Sequence, residues 1–154
     1  MKMKKLLVCL GLCLTCFLCS CEKKEDTSAF KDAMNSFCDQ IVDIDLSMNS
    51  INAKSDTAKD DLLTNLDKLK ENFTSFAALD FPTEFDYLES IRDESRDYMN
   101  EAVDYYHKAF EDPSGYRSDY AEYAKQNYDR AWKRIQIIIS ILHGETPDNV
   151  QMVE

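Results

Sequence analysis

Glycine and proline are scarce in this chain, with three of each in 154 residues. Beyond residue 26 only Gly115, Gly144, Pro82, Pro113 and Pro147 remain, and each falls between periodic segments rather than inside one. A sheet protein needs more turn residues than this, and no alternating apolar–polar run of useful length occurs, so an all-α domain is the reading. Cysteine is missing where a fold could use it. Five of the six (Cys9, Cys13, Cys16, Cys19 and Cys21) lie in the first 21 residues. Cys38 alone belongs to the remainder, which excludes an internal disulfide framework; beside an apolar stripe it reads as a small buried hydrophobe.

Positive charge is also in short supply. Three of the 18 Lys and Arg, and none of the 29 Asp and Glu, fall in the first 20 residues, so the rest carries 15 positive and 29 negative side chains, a formal −14. Phosphate recognition needs a basic stripe, so nucleic acid is excluded as a partner. The same imbalance argues against the domain lying flat on an anionic membrane.

The motifs of catalysis are absent as well. The chain has no Gly-x-Ser-x-Gly, no His-Glu-x-x-His, no glycine-rich phosphate loop and no Cys beside a His. Only two histidines exist. Asp104 and His107 stand three apart on one helix face, the spacing a di-iron bundle uses, but such a site needs two of these pairs and two further carboxylates. We therefore expect no metal and no cofactor, and His107 paired with Asp104 on a half-exposed face. Asp43 and Asp45 lack the glycine and acidic spacing of a calcium loop. The absence of catalytic groups points away from an enzyme.

What the chain does have begins at its start. Lys2, Lys4 and Lys5 precede residues 6–18, which are apolar apart from Thr15. Thirteen residues suit a signal h-region, whereas a spanning helix needs ~20. Glu22, Lys23, Lys24, Glu25 and Asp26 end the run. Between them, Leu18, Cys19, Ser20 and Cys21 resemble the bacterial lipoprotein box: an aliphatic residue, two small residues, then Cys. Cys19 departs from the usual Ala, Ser or Thr but is small. The resemblance implies cleavage after Ser20, a lipid on the sulfur of Cys21, and a protein held on the outer side of a cell membrane. It covers about a seventh of the chain and implies nothing about the fold beyond it.

The expected organisation is a signal peptide over 1–20, a lipidated Cys21 and tether over 21–27, a four-helix bundle over 28–144 and a loose tail over 145–154. Phe30, Met34, Phe37, Ile41, Ile44, Met48 and Ile51 form an unbroken heptad ridge, predicting a helix over 28–51. Leu62, Leu66, Leu69, Phe73, Phe76 and Leu79 predict a second over 57–79, with Ser55 or Asp56 as N-cap. Asn72, Phe73 and Thr74 spell a glycosylation sequon that the mid-helix position discards. Pro82 suits a first turn, and Leu88, Ile91, Ser95, Tyr98, Ala102, Tyr105 and Ala109 predict a third helix over 83–110. Tyr120, Ala124, Asn127 or Tyr128, Ala131, Ile135, Ile138 and Leu142 predict a fourth over 118–143, stopped by Gly144 and Pro147. Short loops make this an up-down-up-down antiparallel four-helix bundle.

All eight tyrosines lie between residues 87 and 128. Tyr105, Tyr106, Tyr116, Tyr120 and Tyr123 gather around the turn between the third and fourth helices, which connectivity places at the end away from the lipid. Tyrosine is enriched at binding surfaces, which makes these five a candidate docking site for an envelope or extracellular protein. They equally suit the tapering end of a core, a reading that fits the ridge members Tyr105 and Tyr120 better than Tyr116 and Tyr123. The inward polar positions Ser95 and Asn127 read as register-setting. The alternative is a ligand pocket between helices three and four, lined by Tyr98, Tyr105, Asn127, Tyr128 and Trp132, which would make the protein a small-ligand carrier or sensor.

Overall fold

The computed structural model describes residues 27–144. The leader, Cys21, the charged tether up to residue 26 and the tail over 145–154 lie outside the described residues. Four helices follow one another: α1 (Ser28–Ser50), α2 (Ala58–Ala77), α3 (Glu89–Glu111) and α4 (Ser118–Leu142), with a 3-10 segment (Thr83–Leu88) leading into α3. There is no strand among the described residues.

Each apolar ridge becomes a buried face. Phe30, Met34, Phe37, Ile41 and Ile44 of α1 are buried at intervals of four and three, as a heptad pattern dictates. Partners across each seam run in opposite directions. Phe37 meets Phe73 and Phe76 of α2 at 5.6 and 4.4 Å between ring centroids. Lys70 of α2 meets Asp104 of α3 at 2.6 Å, and Arg134 of α4 meets Glu94 of α3 at 3.0 Å. The result is the expected up-down-up-down bundle with one continuous core.

The seams differ in thickness. α3 and α4 approach each other most closely, and α1 and α2 least among the consecutive pairs. Side-chain size supplies the reason, because interaxial distance follows the residues at the contact. Ser95, Ala102 and Ala109 of α3 and Ala124 and Ala131 of α4 are wholly buried small residues. Phe30, Phe37, Phe73 and Phe76 stand between α1 and α2. α4 reaches α2 through a larger group: Trp132 packs edge-on against Phe73 at 5.5 Å, with Tyr128 of its own helix 6.0 Å away.

Several local expectations change. In α2 the first buried core residue is Leu63, while Leu62, one turn before Leu66, is half-buried at the edge of the core, so the rotation of α2 against its neighbours favours Leu63. The N-cap of α2 is Thr57; the Ser55 hydroxyl accepts from its backbone N–H at 3.3 Å. Residues 83–88 wind as 3-10 helix, starting from Pro82, whose carbonyl accepts from Phe85 N–H at 2.7 Å. Cys38 is half-buried rather than buried, and packs on the rim of the core. Asn72 is buried in mid-helix, its amide donating to the Phe37 carbonyl of α1 at 3.2 Å. That contact gives the physical reason why the sequon is not a glycan site on the folded chain.

Arg92 is the polar surprise. It is 8% exposed, its Nη1 donates to the Leu79 carbonyl at 2.6 Å, and its guanidinium lies 5.3 Å from the Phe81 ring centroid. Glu89 and Asp93 complete its shell at 3.4 and 3.3 Å. One side chain thus ties the chain leaving α2 to the first turn of α3.

Candidate functional site

The turn between α3 and α4 is built by a few local bonds. Asp112 accepts from the Ser114 backbone N–H at 2.8 Å and from its hydroxyl, and its carbonyl accepts from Gly115 N–H at 2.9 Å. Gly115 takes a φ of +105°, a conformation that side chains with a Cβ resist. Arg117 N–H then returns to the Ala109 carbonyl at 2.9 Å, closing the end of α3. The two Ser114 bonds, and behind them Arg117, hold the Asp112 carboxyl below the usual carboxylate range.

The structure places the five tyrosines in two groups rather than one. Tyr105, Tyr120 and Tyr123 form the first, with Tyr105 5.8 Å from Tyr120 and 4.5 Å from Tyr123 between centroids. Cations cover two of these rings: Lys108 Nζ sits 4.2 Å from the Tyr105 centroid, and the Arg117 guanidinium 4.6 Å from that of Tyr120. Arg117 is itself fixed by Asp119 at 2.7 Å. Tyr106 and Tyr116 form the second group, Tyr116 resting 5.1 Å from Phe110. Burial, then the nearby charges of Asp129 and Tyr116, raise the Tyr106 phenol above its ordinary range. Helical geometry explains the division, since adjacent positions such as 105 and 106 do not face the same way. Tyr116 at 60% and Tyr123 at 38% are the exposed members; Tyr105, Tyr106 and Tyr120 are half-buried beneath them.

An open cleft of about 380 Å³ runs beside the first group, lined by His107, Lys108, Glu111, Asp112 and Tyr120. His107 is not paired with Asp104, which Lys70 has taken. Its Nδ1 lies 3.0 Å from Glu111 Oε2 and its Nε2 3.0 Å from Asp67 Oδ1 of α2. Both ring nitrogens thus lie against carboxylates from two helices. No cluster of three or more His, Cys, Asp or Glu suited to a metal ion occurs among the described residues.

The residues proposed to line a pocket between α3 and α4 separate into other contacts. Asn127 is wholly buried, donating to Glu101 at 3.1 Å and accepting from Arg130 at 3.2 Å. Ser95 donates to the Arg92 carbonyl of its own helix at 2.6 Å. Tyr98 lies under Arg134 and Arg130, at 4.9 and 5.6 Å from its ring centroid. Tyr128 and Trp132 pack toward the core. Burial pushes the Tyr128 phenol up to about 12, opposed by the neighbouring Trp132 indole N–H.

Sequence reasoning missed the cation–ring contacts and the Asp67–His107 pair. The His107–Glu111 spacing of four was a readable signal; Asp67, forty residues away on another helix, left none. Cys21 lies outside the described residues. No helix among the described residues is long and apolar enough to cross a membrane. No protein-family model matches the chain, and comparison with curated proteins and with solved structures found no match.

Proposed function

We propose that the protein is a non-catalytic lipoprotein of the cell envelope, held to the membrane by a lipid on Cys21, whose bundle docks another envelope or extracellular protein through the α3–α4 turn. The exposed Tyr116 and Tyr123 carry this reading. They stand on ordered rings and cations at the end of the bundle opposite Ser28, the first residue of α1. Tyrosine offers large contact area at low entropy cost, and aromatic and arginine side chains are the commonest anchors of protein interfaces. The leader supports the anchor, since basic, apolar and small-residue-plus-Cys segments follow in lipoprotein order. The small-ligand carrier reading gains no support, because its lining residues turn to separate partners.

Crosslinking on intact cells, followed by recovery of the protein, tests the docking surface. Tyr116→Ala/Tyr123→Ala should lose partners that the wild type retains, with circular dichroism unchanged. An identical partner set from both would sink the proposal. Cys21→Ser tests the anchor separately: it should abolish lipid labelling and move the protein out of the membrane fraction or leave it uncleaved.

A further inference from the structure

We propose that His107 is a proton-operated clasp between α2 and α3, closed by an imidazolium shared between Asp67 and Glu111 and released when it loses its proton. The inference goes beyond docking and holds whether or not the α3–α4 turn meets a partner.

Register brings the groups together. Antiparallel packing sets residue 67 of α2 against residue 107 of α3, one turn from the Lys70–Asp104 pair. On α3, Glu111 lies one turn beyond His107, so the ring is held from two helices at 3.0 Å on each nitrogen. Protonation chemistry then decides the state. A neutral imidazole carries one N–H and can donate to only one carboxylate, leaving a lone pair aimed at the other. The imidazolium donates to both and places its charge between two negative groups.

The other charged and titratable groups around the ring do not reverse this balance. From α2 these are Asp67 and Lys70, and Lys70 is occupied by Asp104. From α3 they are Asp104, Lys108 and Glu111, with Lys108 leaning over Tyr105. From the turn and α4, Asp112 and Tyr120 share the cleft with it. Burial by itself lowers the imidazole, but the Glu111 and Asp67 hydrogen bonds and charges outweigh it and the net direction is upward. Release has a local consequence. It leaves the Lys70–Asp104 pair, one turn away, still holding α2 to α3, and frees two walls of the cleft, His107 and Glu111.

Proton-detected imidazole NMR on the full chain, with His107 assigned through His143→Gln, reads the clasp directly. The His107 midpoint should lie above the ordinary value of about 6.5. Asp67→Asn and Glu111→Gln should each shift it downward. Amide exchange over residues 104–111, corrected for its intrinsic pH dependence, should step up as the pH passes that midpoint, and His107→Gln should remove the step. A midpoint at or below about 6.5, one that neither carboxylate variant moves, or exchange without a step would overturn the clasp.

Discussion

Replacing Arg92 by methionine keeps most of the buried stem and removes the guanidinium, so it isolates what the charge contributes. The bond from Nη1 to the Leu79 carbonyl, 2.6 Å long and part-buried, is charge-assisted. Such bonds are worth about 1.5–3 kcal/mol. The contact with the Phe81 ring adds about 0.5–1 kcal/mol. Glu89 and Asp93 are nearly half exposed, at 46% and 44% of their side chains, so water screens both pairs. Together they add no more than about 1 kcal/mol. Arg92→Met should therefore cost roughly 2–5 kcal/mol, or on the order of 10 °C in Tm for a domain of this size. Urea unfolding followed by circular dichroism measures it. The control is Arg96→Met, one turn further on, whose pairs to Asp93 and Asp97 are more exposed. It should lose under about 1 kcal/mol. Equal losses at the two positions would refute the argument that burial and the Leu79 carbonyl set the difference.

Phe73, wholly buried and in ring contact with Phe37 and Trp132, should cost about 3–5 kcal/mol as Phe73→Ala in the same unfolding assay. Ala131→Leu tests the thin α3–α4 seam: the added carbons have no space, and the loss should be about 1–3 kcal/mol. Gly115→Ala should destabilise by about 1 kcal/mol even though nothing lies within 4 Å of the added carbon, because the strain is in the backbone. Alkaline stability follows from Tyr128: its phenol is raised to about 12, so the unfolded chain deprotonates first. Stability should fall from about pH 10, the unfolded value, up to about pH 12, and Tyr128→Phe should flatten that fall.

The helices were legible because burial imposes a period that loops break. Apolar intervals of four and three located α1 and α4 to within a residue or so at each end. The start of α3 was not legible, since Pro82 permits a helical first turn of either winding and the choice rests on how residues 83–88 meet the core. Leu62 and Leu63 are equally apolar; only the rotation of α2 against its neighbours selects Leu63. Arg92 was invisible because nothing local marks a charged side chain that finds a carbonyl thirteen residues back. The tyrosine cluster was found as a neighbourhood but not as two faces, since proximity in sequence at a helix end does not fix direction. His107 was noticed for its spacing from Asp104, yet an ion pair goes to whichever carboxylate the facing helix supplies.

The unequal seams give the molecule a mechanical direction. Ser28 and Leu142 lie at one end of the bundle and the α3–α4 turn at the other. Tension applied between Ser28 and that turn runs parallel to the helices. α1 must then slide lengthwise past its neighbours, and its aromatic contacts with α2 yield together. Tension between Ser28 and Leu142 acts across the axis and peels α1 away turn by turn, at lower force. The small-residue seam between α3 and α4 is the part that keeps its shape longest under either load.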